Sequence, residues 1–364
     1  MIPLFSAERA NKDVDLIAPL NRVATSNWYV LGNEVSSFET EFAKYVGVKH
    51  CISVANGSDA LEIALRGLGV QAGDHVVTVA NAGFYGSTAI HAIGAVPLYV
   101  DVDDRTLTMC PKSLHEALGS RPKAVIATHL YGQLAHIEEI VEMCAKAGVP
   151  VLEDCAQAHG ARNDAKLAGS FGTIACFSFY PTKNLGAVGD GGAVVTNDSE
   201  LAQRVKQIRQ YGWSSKYTVS VPGGRNSRLD ELQAAVLREK LPSLDIWNER
   251  RREIAKQYSA AFSSLDVKLP ASCGLDFVAH LYVMRTPKRM ALMQALKDQE
   301  IGSDIHYPIP DHRQPAYREY AGLSLPVTEA ACETAVSLPC FPGMTDEEVS
   351  KVIDAVNQFF AQEA

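Results

Sequence analysis

The 364-residue chain has no Cys-x-x-Cys pair, no basic stripe with interleaved aromatics, and nothing near the roughly 20 consecutive apolar residues of a membrane span. The cysteines at 51, 110, 144, 155, 176, 273, 332 and 340 lie mostly in apolar runs, which argues for small buried side chains in a reducing compartment over a disulfide framework. With 34 basic and 42 acidic side chains the net charge is −8, so no nucleic-acid partner is expected, and any bound phosphate must be held by local geometry. G-K-[ST], G-x-G-x-x-G and H-E-x-x-H are all missing, which disfavours ATP, NAD and zinc-protease readings; no metal is expected. Met1-Ile2-Pro3-Leu4 runs straight into polar residues, unlike a signal peptide. The expectation is a cytoplasmic protein with no membrane partner.

What is present is globular composition, 47% hydrophobic and 21% charged. The length exceeds one ordinary core, and the pattern suggests a large domain over 1–244 and a small one over 245–364, with a long helix at the junction. From residue 35 to about 200 strand and helix patterns alternate. Strands are expected at 50–55, 76–80, 96–100, 124–130, 149–153, 175–179 and 193–196. Helices are expected at 35–45, closed by Gly47, and at 137–147, 231–241, 244–261 and 346–360. Asp59 with Glu62 reads as a capping box for a helix reaching Leu65. The fold class is α/β, a mostly parallel sheet between helices with a smaller C-terminal α/β domain. Ligands of such sheets bind at the carboxyl ends of the strands.

Two segments at those ends carry chemistry. Asp154 ends the apolar run Val149–Glu153, where an unpaired carboxylate is costly. Lys183 follows in Ser178-Phe179-Tyr180-Pro181-Thr182-Lys183-Asn184-Leu185-Gly186. An exposed loop lysine is the bland reading of Lys183, and a helix cap that of Asp154. Together they fit pyridoxal phosphate, which needs a lysine for its aldehyde and an acid for its ring nitrogen. Asn56-Gly57-Ser58 before a helix can cup a phosphate, although such a tripeptide is more often a plain turn. Phe84 and Tyr85 offer an aromatic face, or simple packing under a loop.

Beyond these residues, the chain resembles the DegT-type nucleotide-sugar aminotransferases, of the fold type I pyridoxal phosphate group. The likeness runs through Trp28–Gly32, Asn56–Ala60, Glu153–Gly160, Tyr180–Gly192, Asn226–Ala234 and His306–Tyr317. It implies catalytic roles for Lys183 and Asp154. It also implies cofactor contacts from Gly57, Ser58, Phe84, Gln157 and Ser178, and from Asn226 of a second subunit in a homodimer with shared sites. Tyr29, His306, His312 and Tyr317 are candidates for the sugar nucleotide. Trp28–Gly32, Asn81–Gly86 and Gly189–Gly192 are similar to enzymes that aminate dTDP-3-keto-6-deoxyhexoses, with glutamate as donor. A 4-keto sugar, a pyridoxamine-dependent sugar dehydratase and a cofactor-binding regulatory protein are the alternatives.

Overall fold

The computed structural model describes residues 1–362. Seven strands form the main sheet: β1 (His50–Val54), β2 (His75–Val79), β3 (Val96–Val100), β4 (Ala124–Thr128), β5 (Val151–Asp154), β6 (Ile174–Ser178) and β7 (Gly192–Thr196). Their order is β1-β7-β6-β5-β4-β2-β3, and β7 alone runs against its neighbours. The expected α/β fold is thus present, with strand ends shifted by a residue or two. Every residue of β4 and β7 is buried, as required of strands covered on both faces.

Alternation along β6 sorts the two faces. Ala175 and Phe177 join Phe38, Phe42 and Phe179 in one apolar cluster, under the helix Asn33–Val46. Ile174 and Cys176 join Ile52, Leu61 and Val205 in another, under the helices Gly57–Gly67 and Ser199–Arg209. A further core lies in the C-terminal part, where Ile254, Tyr258, Met284, Val336 and Phe359 pack together; Ile2 and Phe5 from the start of the chain join it. All eight cysteines are free, and six are buried.

The helix Asn33–Val46 ends at Gly47, whose φ of 83° suits a residue without Cβ, and Ile137–Ala147 has the expected bounds. The capping box did not form as read. Asn56 caps the helix Gly57–Gly67 by accepting from the Asp59 N–H at 2.8 Å, because the chain turns helical two residues earlier. Asp59 and Glu62 instead pair with Arg225, Asp59 at 2.9 Å.

Phe42 meets Phe177 edge-on at 4.9 Å and Phe179 at 5.3 Å, and is fully buried. Phe42→Ala should cost about 3–5 kcal/mol of stability, read from urea unfolding. A loss below about 1 kcal/mol would show that this cluster does not anchor the helix to the sheet.

Candidate active site

The sheet's topology builds the site. Asp154 is the last residue of β5 and pairs with Cys176 of β6 on one side and Thr128 of β4 on the other. The chain leaves β6 at Ser178 and returns as β7 at Gly192, which is paired with Ser178. The connection between them carries Lys183, folded back by a bond from the Lys183 N–H to the Tyr180 carbonyl at 2.8 Å. A cavity of about 650 Å³ opens at these strand ends, lined by Asp154, Lys183, Gln157, Ser178, Gly57 and Ser58 among others.

Burial sets the electrostatics. It lowers the Lys183 ammonium to about 8, opposed by the charge of Asp154. It raises the Asp154 carboxyl above its ordinary value, opposed by the Ala156 N–H, by Lys183, by His129 and by the Thr128 hydroxyl. Each charged form is therefore destabilised by the site and rescued in part by the other. Neutral lysine is the nucleophilic form, so the shift brings it into reach near physiological pH.

Another part of the wall is the first turn of the helix Gly57–Gly67, with the partial positive charge of its free N–H groups. A Cβ at residue 57 would stand 2.6 Å from the Ser178 Cβ, so only glycine lets the helix start approach the end of β6 this closely. Gln157 is pinned from both ends. Its oxygen accepts from the Tyr131 N–H at 2.6 Å, and its amide donates to the Tyr307 hydroxyl at 3.0 Å.

Behind Asp154, His129 Nε2 and a Glu153 oxygen lie 3.0 Å apart, with Cys155 beside them. The lone pairs a metal would need are taken: the His129 Nδ1 accepts from Ala135, and Glu153 accepts backbone N–H groups of Gly169, Phe171 and Gly172. This network holds the loop after β5 in place.

Of the remaining sequence candidates, only His306 lines the cavity. Its Nδ1 is 2.8 Å from the Ser337 hydroxyl, and burial holds the ring below its ordinary pKa. Phe84 turns its ring to Tyr317 (4.9 Å) and His91 (6.0 Å), and its neighbour Tyr85 lines the cavity instead. His312 is buried away from the cavity with Nε2 2.9 Å from Glu329, and Tyr317 stacks on His91 at 4.2 Å. These three, read from the resemblance as ligand contacts, do not line the chain's own cavity. Tyr29 and Asn226 are exposed and lie outside the chain's own cavity.

Sequence reasoning missed Tyr307, Thr128, His280 and Arg251, all on the cavity wall. Arg251 carried no local signal within its run of charged residues. Three carbonyls, of Ala279, His280 and Cys340, accept from its Nη1. Burial lowers it to about 10.

Residues 11–357 match the family described as DegT/DnrJ/EryC1/StrS aminotransferase. The chain belongs to that family. It is 45% identical over 362 residues to the dTDP-3-amino-3,6-dideoxy-alpha-D-galactopyranose transaminase of Aneurinibacillus thermoaerophilus, covering 99% of each chain. It is 41% identical to a pleiotropic regulatory protein of Geobacillus stearothermophilus, covering 95% of this chain and 94% of the relative. Among solved structures, S. venezuelae DesV in complex with a ketimine intermediate superposes with a TM-score of 0.95 at 40% identity, over 98% of each chain. The aminotransferase activity and the pyridoxal phosphate cofactor read from the sequence stand with the family.

The cavity fits that cofactor on its own terms. It offers an amine held near neutrality, a buried carboxylate in want of a cationic partner, and a helix start pressed against a serine. In protein stripped of cofactor, amine-directed labelling of Lys183 should rise with pH through a midpoint near 8. A midpoint at the ordinary 10.5 would contradict the burial argument.

Proposed function

We propose that this chain moves the amino group of glutamate to a dTDP-linked 3-keto-6-deoxyhexose, as a homodimer in the cytoplasm. The observation that carries the catalytic part is the meeting of Lys183 and Asp154 in one cavity beside a helix start. The choice of sugar rests on the 45% identical relative, named as a transaminase of a dTDP-3-amino sugar.

When bound, pyridoxal phosphate supplies an electron sink for the bond breaking beside the amino group. In this reading Lys183 would hold the cofactor's aldehyde. Its amine would take the donor's α-proton in one half-reaction and return a proton to the sugar carbon in the other. One base serving both halves gives ping-pong kinetics. Asp154 would hold the ring nitrogen, and a cation there would answer the burial cost described above. Gly57, Ser58 and Ser178 hold the phosphate, and Gln157 takes the ring's hydroxyl. The aromatic wall proposed for Phe84 falls to Tyr85. His306 faces the sugar.

Two further parts of the reading concern assembly. Trp28, Tyr29, Val30 and Tyr180 are large apolar side chains left exposed, and a second copy would cover them. The position of Asn226 outside its own cavity supports its service to the partner's site. The division into 1–244 and 245–364 is kept as a proposal, with the segment around Ile2 and Phe5 counted to the smaller unit because it packs there.

A relative carries a regulatory name, but a regulator has no use for an amine tuned to about 8 facing a buried carboxylate. A dehydratase of this group has histidine in place of the lysine, and Lys183 argues against it.

The test incubates the protein with pyridoxal phosphate, glutamate and either dTDP-3-keto- or dTDP-4-keto-6-deoxyhexose, locating nitrogen by NMR. Nitrogen at C3 is expected, and Lys183→Ala should abolish turnover while the fold persists. Nitrogen at C4 would overturn the regiochemistry, and undiminished turnover by the Lys183→Ala variant would overturn the role of the lysine.

A further inference from the structure

Asp311 is 1% exposed, and among the described residues it has no cationic partner. Its two oxygens accept from the helix that borders the cavity: the Phe84 N–H at 3.0 Å and the Ser87 hydroxyl at 2.5 Å. Tyr99 adds its hydroxyl to Ser87 at 3.0 Å, and the Asp311 N–H donates to the Ala80 carbonyl at 2.7 Å. The segment His306–Asp311 is thereby fastened to the start of the helix Tyr85–Ala92.

What hangs on this fastening is the cavity wall. Tyr85 follows Phe84 directly. Tyr307 precedes Asp311 by Pro308-Ile309-Pro310, two prolines that leave the path little freedom. The two tyrosine rings meet edge-on at 6.1 Å, and both line the cavity with Lys183. Gly83, at φ +78°, lets the Tyr307 ring approach; a Cβ there would stand 2.9 Å from it. Tyr307 in turn accepts from Gln157.

We propose that Asp311 is a positioning residue for the acceptor side of the reaction: its carboxylate clamps the Tyr307 loop to the Tyr85 helix and so sets the wall against which the keto-sugar sits. The clamp's own bonds reach neither Lys183 nor Asp154; Tyr85 and the Gln157–Tyr307 bond adjoin the cofactor's place, so the donor half-reaction is expected to change, but by less than the acceptor half-reaction. The inference rests on the sugar-transaminase reading for its substrate.

A clamp made of a buried carboxylate depends on charge. Ser87 and the Phe84 N–H donate to Asp311 from the helix, Tyr99 of β3 and Cys332 of the helix Pro326–Thr334 feel its charge, and His312 and Arg313 follow it in the chain, both turned to Glu329. Among the described residues no lysine or arginine forms an ion pair with it. Burial therefore raises the carboxyl to about 7, opposed only by the two bonds it accepts. The sign follows. Above that pH the ionised carboxylate accepts from both donors. Below it the carboxyl carries a proton, and one acceptor position is lost.

The experiment measures KM for the keto-sugar from pH 6 to 8.5 in the holoenzyme, alongside the glutamate half-reaction and hydrogen exchange of segments 82–92 and 304–314. In the wild type the sugar KM should rise as pH falls through about 7, with the glutamate half-reaction following a different profile. Asp311→Asn, one acceptor short at every pH, should show a raised KM that no longer varies there. Asp311→Ala should raise the sugar KM about tenfold or more, slow the glutamate half-reaction by a clearly smaller factor, and speed exchange in both segments. If Asp311→Ala fails to fold, Asp311→Asn and Ser87→Ala carry the test. An unchanged pH profile in Asp311→Asn, or equal losses in both half-reactions, would overturn the clamp. If the wild type aminates no keto-sugar, the functional reading fails, while the exchange data still decide whether Asp311 joins the two segments.

Discussion

Burial acts on two opposite charges at once in this protein, and the rest of the structure serves that arrangement. Lys183 and Asp154 face one cavity whose surroundings penalise both ionised forms. Neither would persist there alone, because an isolated buried charge shifts its pKa and neutralises. Together they leave an amine that can be neutral near pH 8 and a carboxyl that gains by meeting a cation. A pyridinium nitrogen is such a cation, and an aldehyde is what the amine attacks.

The sheet makes the pairing inevitable once it forms. Parallel β4, β5 and β6 end side by side, so Thr128, Asp154 and Ser178 come to one rim. The reversal into β7 folds Lys183 back over that rim within a short connection. Glu153, one residue before Asp154, points to the other side and gathers three backbone N–H groups of the loop 169–172, together with His129. Adjacent carboxylates thus do opposite work because a strand alternates its faces. One is saturated with hydrogen bonds, while the other faces the cavity.

Much of this was legible in the sequence for a physical reason. Strand ends and glycine turns before a helix are local features, so Asp154, Lys183, Gly57, Ser58 and Ser178 could be placed on one cavity from their own segments. The alternation of strand and helix gave the fold class in the same way. Legibility failed where long-range packing decides direction. Phe84 and Tyr85 are neighbours, and only the contact with Tyr317 and the bond to Asp311 determine which ring faces the cavity. His312, a ligand candidate from the resemblance, has its Nε2 beside Glu329, seventeen residues on, a contact that no local pattern announces. Arg251 had no signal at all, since its neighbours Arg250 and Arg252 look identical in sequence and pair instead with acidic side chains.

The central claim is that Lys183, and no other lysine, carries the cofactor opposite Asp154. Borohydride reduction of the pyridoxal phosphate-loaded protein, followed by digestion and mass mapping, tests it directly. The account predicts a single pyridoxyl group on Lys183, in the peptide that joins β6 to β7. Modification at another lysine, with Lys183 untouched, would contradict it.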